Sequence, residues 1–187
     1  MNKENLTNHF NKVLTHKKEV FKACCKVGIP IQGIMHDMSK FSPVEFFESA
    51  KYYCGDRSPI DKCKEVNGYS LAWFHHRGRN KHHWEYWVDN FDKGMTPTKM
   101  PFKYALEMLC DFIGAGKAYH GDSFTYQKKW EWWINKRDTA VMHPIVKDFI
   151  NEMMKDLVNH GEVVLTKRNC RRKYIMAEAK HLNNIVK

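Results

Sequence analysis

Apolar residues in this chain recur at three- and four-residue steps rather than in alternation, the period of a helix face. Leu6, Phe10, Val13, Val20, Phe21, Cys24 and Val27 form one such stripe, ended by Gly28 and Pro30. A second helix is expected from about residue 30 to 40, with Ile31, Ile34, Met35 and Met38 as its apolar side. Ser42-Pro43-Val44-Glu45 reads as a capping box with proline at the first helical position. It opens a third helix that carries Phe46, Phe47, Ala50 and Tyr53. Residues 54–67, with Gly55, Asp56, Ser58, Pro59 and Asn67, read as a loop. A short helix is expected over about 69–76, broken by Arg77-Gly78-Arg79-Asn80, and another from His82 to Phe91, followed by a loop over 93–100. The long helix that follows, about 101–119, has Ala105, Met108, Leu109, Phe112 and Ile113 as its core stripe. Trp130, Trp132 and Trp133 fall on a helix near 125–137. Pro144 opens a further helix that ends at the cap Gly161, and the basic tail from Thr166 is helical in pattern. The best strand candidate, Val163-Val164-Leu165, is too short to matter.

This pattern predicts one all-α domain over 1–187, of about seven to nine helices. Its metal-site core spans about 6–120 and its C-terminal helices about 125–187. At 187 residues the chain can bury a real core, and 43% hydrophobic and 13% aromatic residues exclude disorder. No apolar stretch approaches the roughly 18–20 residues of a membrane span. The first residues show no charged-then-apolar signal, so the expected location is cytoplasmic, with no membrane partner. Six scattered cysteines form no CxxC pair and read as reduced thiols, with Cys24 and Cys110 in the core. A net charge of +10 favours anionic partners. The run Lys167, Arg168, Arg171, Arg172 and Lys173 offers a nucleic-acid contact, with a solvated helix face as the favoured reading.

The chemistry concentrates on His36-Asp37, followed by Lys40. An adjacent His and Asp can hold two metals side by side, because a carboxylate can bridge with its two oxygens. His36 and Lys40 are four residues apart and Asp37 and Lys40 three, so the three share one helix face, away from the apolar set. His16 falls in the inward row Val13, His16, Val20. His75, His76, His82 and His83 crowd about one glycine-containing turn, which can aim residues from two short helices at one point. Asp111 lies beside the core stripe of the long helix, one turn from Glu107, and needs a metal or a histidine to compensate its burial. His9, His120, His143, His160 and His181 are set aside, His143 as a helix cap. A site rich in imidazole and carboxylate, without thiolate, favours one or two divalent transition metals, iron, manganese or zinc. Two metals would activate a water and clamp a phosphoryl oxygen, and Lys40 could neutralise a substrate phosphate. Arg77 and Arg79 are further candidates for that phosphate.

A His, a later His-Asp pair, a histidine cluster and a final Asp, in that order, resemble the HD-domain superfamily of metal-dependent phosphohydrolases. His36-Asp37-Met38-Ser39-Lys40 is similar to the HD-x-x-K stretch of several members, whose lysine faces phosphate. The resemblance covers roughly residues 6–120. It implies an all-α fold, a first metal on His16, His36, Asp37 and Asp111, and a second sharing Asp37. The second would take two histidines of the cluster, His76 and His82, with His75 and His83 as rivals. A likeness also exists to an uncharacterised family of bacterial and phage proteins, through HDMSKF at 36–41, NKHHWEYW at 80–87 and EMLCD at 107–111. The gap from His16 to His36 is short for an HD domain. No GYP-like motif follows, so a cyclic-dinucleotide phosphodiesterase is not implied. The expected function is therefore a metal-dependent phosphohydrolase acting on a small phosphorylated substrate, a nucleotide above all, with Asp37 and Lys40 as its catalytic residues. The alternatives are a di-iron oxygenase on the same scaffold and a non-catalytic basic nucleic-acid-binding protein. Trp84 to Trp87 would either stack on a nucleobase or, as favoured, pack behind the site.

Overall fold

Asn2 caps the first helix by accepting from the Glu4 amide at 2.8 Å, and Glu4 and Lys26 lie at the ends that the helix dipole favours. This is α1, Lys3–Lys26. The computed structural model describes residues 2–89 and 94–185. Beyond α1 the described residues form α2 (Pro30–Met35), α3 (Pro43–Lys51), α4 (Pro59–Asn67), α5 (Leu71–Arg79), α6 (Phe102–His120), α7 (Tyr126–Arg137), α8 (Pro144–His160) and α9 (Lys167–Ile185). Two short strands, β1 (Val88–Asp89) and β2 (Thr96–Pro97), pair antiparallel with Val88 opposite Pro97. The described residues thus make a compact all-α domain, as the helical periodicity predicts.

Its core is built where α1 lies on α6, with α8 and α9 closing the far side. Val20 and Cys24 of α1 and Val27 at its cap meet Leu106, Leu109, Cys110 and Ile113 of α6, and Phe149, Ile150, Met153 and Leu157 of α8 complete the cluster. Trp133 is fully buried and donates to Asn151 Oδ1 at 2.6 Å, while Trp132 remains 39% exposed. Trp84 packs edge-on against Phe112, so it serves the core. His143 caps α8, its Nδ1 accepting from the Ile145 amide at 3.3 Å. The basic run on α9 is mostly a solvated face, with Lys167, Arg168, Arg171 and Arg172 exposed. Lys173 pairs with Asp156 at 3.0 Å, and Arg171 stacks on Phe102. Among the described residues, no helix is long and apolar enough to cross a membrane.

Several expected elements differ. The second helix stops at Met35, and its expected apolar face is outside: Ile31 is 76% and Met35 62% exposed. The buried side is Gly33, where a Cβ would stand 2.8 Å from Cys24 Cβ, so α2 lies too close to α1 for any side chain between them. Phe10, Phe21 and Phe47 also lie at the surface. Residues 54–67 are not all loop, because Pro59 at the first turn and a left-handed Gly68 at the end bound α4. α5 runs through Gly78, which moves the turn to residues 80–83. The expected helix from His82 to Phe91 is a single 3₁₀ turn, Trp84–Trp87, before β1, and residues 90 and 91 lie outside the described residues. Val163 and Val164 belong to a 3₁₀ turn rather than a strand.

Candidate metal centre

The chain breaks its helix where the metal-capable residues are densest. After Met35, His36 is extended (φ −53°, ψ 130°) and Asp37 is left-handed at φ 53°. Lys17 of α1 donates to the carbonyls of Ile34, at 3.1 Å, and His36, replacing the amides of a next helical turn. Successive side chains on an intact helix diverge by about 100°. The break instead turns His36 and Asp37 to the same point, with Nε2 and Oδ2 3.3 Å apart.

Two groups of side chains meet on Asp37. In the first, His16 Nε2 lies 3.2 Å from both Asp37 Oδ2 and Asp111 Oδ1. His36 Nε2 lies 3.3 and 3.4 Å from the same oxygens and 3.3 Å from His16 Nε2. In the second, the other oxygen, Asp37 Oδ1, lies 3.3 Å from His76 Nε2 and 3.4 Å from His82 Nε2. His83 joins this group, every member of which offers a ligand atom within 4.8 Å of the others. Atoms bonded to one ion at about 2.0–2.2 Å stand about 2.8–3.6 Å apart at octahedral or tetrahedral angles. Asp37 Oδ1, His82 Nε2 and His83 Nε2 are moreover buried without a hydrogen-bond partner. Buried polar atoms left so are costly unless something else satisfies them. The arrangement could hold a metal ion in either group, with Asp37 able to bridge two.

Two carboxylates behind these groups orient the rings. Glu107 Oε1 accepts from Nδ1 of His36 at 3.1 Å and of His82 at 3.2 Å, while Gln32 donates to Oε2 at 2.9 Å. Glu45 accepts from Nδ1 of His76 at 2.7 Å and of His75 at 2.5 Å. Each bond commits Nδ1 outward and leaves Nε2 facing Asp37 for His36, His76 and His82, the arrangement common around ligating histidines.

The electrostatics call for positive charge. Burial opposes ionisation of Asp37, but His36, Lys40 and His76 outweigh it and hold its pKa well below the carboxylate range. The same opposition leaves Asp111 low through His16 and His36, and Glu107 at about 2 through His36 and His82. Burial would discharge His36, yet Asp37, Asp111 and Glu107 hold its pKa well above normal. His82 and His83 are pushed down by burial and by neighbouring imidazoles, which favours the neutral, ligating form. Lys40 Nζ is 2.7 Å from Asp37 Oδ2; burial acts against its charge, and the Asp37 and Asp111 carboxylates restore it.

A cavity of about 160 Å³ opens onto this cluster, lined by His16, Lys40, His76, His83 and Asp111 at one end. It has room for about five waters at roughly 30 Å³ each. Trp73, Ile60, Val13 and Ala115 supply apolar wall.

The structure therefore brings together His16, His36, Asp37, Lys40, His76, His82 and Asp111, and adds His83. His75 lies behind Glu45, because neighbours on α5 point apart and His76 shares the inward row of Ala72. Arg77 stacks on Phe74 and Arg79 is exposed, donating to the His75 carbonyl at 3.4 Å; neither lines the cavity with Lys40. Glu45 does more than cap α3: Ser42 does accept the Glu45 amide, but the Glu45 side chain reaches the histidines instead of the cap. Glu107 had a readable signal, its four-residue spacing from Asp111. His9 had one too, since it continues the inward row of Val13 and His16.

Comparison with protein families matches residues 5–179 to a family of unknown function, DUF5662. No curated protein and no solved structure matches the chain.

Proposed function

We propose that this chain, which belongs to the family of unknown function DUF5662, is a metal-dependent phosphohydrolase acting on a small phosphorylated substrate over two metals. One observation carries this reading: the two oxygens of Asp37 face separate imidazole groups, one with Asp111 and one with His83. The first ion would be held by His16, His36, Asp37 and Asp111, and the second by Asp37, His76, His82 and His83. Iron, manganese and zinc suit such a donor set. When bound, such ions supply Lewis-acid polarisation of a phosphoryl oxygen and lower the pKa of a water. The likeness to HD-domain enzymes, above all Lys40 three residues after Asp37, supports the same chemistry.

The protein's own part is to position charge. Lys40 stays protonated beside Asp37 and lines the cavity, where its ammonium can take a non-bridging phosphate oxygen. Glu107 and Glu45 keep the rings from turning. The apolar wall limits water to what the cavity admits. The direct test is elemental analysis of the native protein followed by phosphate release under anaerobic conditions. About two metals per chain and oxygen-independent release are expected. A chain without metal, or turnover that requires oxygen, would defeat the reading, the latter in favour of a di-iron oxygenase.

Two variants probe the parts. Lys40→Ala is expected to keep its metals and raise the KM for a phosphomonoester about tenfold, the loss of one charged hydrogen bond. Unchanged KM would take Lys40 off the phosphate. Glu107→Gln keeps the shape but weakens acceptance from two Nδ1–H donors, so manganese affinity should fall about 10–100-fold. Competition with a chelator measures it, and wild-type affinity would show that Glu107 orients nothing.

A further inference from the structure

His9 is 5% exposed, and both of its ring nitrogens are buried without a hydrogen-bond partner. Its ring packs against Phe46, with centroids 5.2 Å apart, and against the edge of Tyr53. Apolar neighbours of this kind would suit a phenylalanine better than an imidazole, so the fold alone does not account for the residue. His9 lines the same cavity as Lys40 and His16. Burial, and secondarily the charge of Lys40, push its pKa down to about 4. At neutral pH the ring thus presents one N–H donor and one bare acceptor.

Its place along α1 fixes a length. His9 and His16 lie on one helix face seven residues apart, about 10 Å along the axis at 1.5 Å per residue. A phosphate held by the metal centre and Lys40 would leave this span to the rest of the substrate. A nucleoside covers it from 5′-phosphate to base edge, whereas glycerol phosphate or another three-carbon ester is too short. The wall between, with Val13, Ile60 and Trp73, is apolar and includes a flat aromatic ring. His9 offers no charge to a second phosphate, and Lys12, which also lines the cavity, is engaged with the Ala118 carbonyl at 2.9 Å.

We propose that His9 forms a recognition subsite for the uncharged edge of a nucleobase, which makes the substrate class a nucleoside 5′-monophosphate. The inference rests on the proposed site holding the phosphate, and it makes His9 a specificity residue without a part in bond breaking.

The test compares the full manganese-loaded chain with His9→Phe and His9→Asn by calorimetric titration with inorganic phosphate and the four common nucleoside 5′-monophosphates. The wild type should bind at least one nucleotide about tenfold more tightly than phosphate, the gain from one or two added hydrogen bonds. His9→Phe should lose that gain with phosphate affinity unchanged, and His9→Asn should keep part of it. Thermal melting adds a sign that a structural histidine would not show: His9→Phe removes unsatisfied polar atoms and should melt at or above the wild type. Equal binding of nucleotide and phosphate by the wild type, or a full nucleotide gain in His9→Phe, overturns the subsite and leaves the metal-site reading standing. A lower-melting His9→Phe overturns it too, by showing a structural role. Selective nucleotide binding lost in His9→Phe, with no turnover by the wild type, supports the subsite while the hydrolase reading fails.

Discussion

Asp37→Asn should leave the chain unable to hold two metals. Asparagine is the fair replacement, since it tolerates the left-handed backbone that residue 37 adopts at φ 53° and differs little in size. It removes the charge and turns one of two acceptor oxygens into a donor. Each oxygen of Asp37 faces a different imidazole group, so a single change strikes both. Losing a carboxylate that merely orients a ligating ring costs about 10–100-fold in affinity, and losing a bridging ligand should exceed that for at least one site. The metal-to-chain ratio after dialysis is expected to fall from about two to below one, with phosphate release lost alongside. The metal-free protein should also weaken, because Lys40 and His36 face this carboxylate from inside the fold. Breaking a buried pair costs about 3–5 kcal/mol. The lower end applies here, since His36 can shed its proton. Full metal content in Asp37→Asn would refute the bridge, whatever the activity.

How the site could be read in advance, and where it could not, follows from the origin of each contact. α6 was legible because its periodic stripe is buried as the pattern predicts, and α8 because Pro144 and Gly161 mark its ends. Convergence of His36, Asp37 and Lys40 was expected from a continuous helix, and that reason was wrong. The helix ends at Met35 because α1 supplies Lys17 to its carbonyls and leaves space only for Gly33, which are tertiary facts absent from residues 30–40 themselves. The same closeness inverts the apolar reading of Ile31, Ile34 and Met35. His76 was expected over His75, and it shares an inward row with Ala72 four residues earlier. His83, read only as a rival, and Glu45, read only as part of a cap, owe their places to how the 80–83 turn and α3 meet α5.

Gly114→Ala is expected to destabilise the protein and loosen the site with one methyl group. A Cβ on Gly114 would meet the Val20 side chain and lie 2.8 Å from the Val20 backbone nitrogen, and backbone cannot rotate out of the way. α1 and α6 would have to separate. Overpacking of this kind costs about 1–3 kcal/mol. It outweighs the gain of up to about 1 kcal/mol that alanine brings to a helix interior. For a domain of this size each kcal/mol is worth about 2–4 °C, so the melting temperature should fall by several degrees. Gly78 is the control, because it also lies inside a helix but a Cβ there meets nothing within 4 Å. Gly78→Ala should melt at or above the wild type. The same displacement reaches the chemistry, since Asp111 is three residues from Gly114 and His16 four from Val20. Their 3.2 Å approach spans the two helices being driven apart. Metal affinity in Gly114→Ala should therefore drop together with stability, while Gly78→Ala leaves it unchanged. A Gly114→Ala protein that melts with the wild type would mean that the α1–α6 contact is looser than this geometry. One that melts low but binds metal normally would mean that His16 is not needed to hold the first ion.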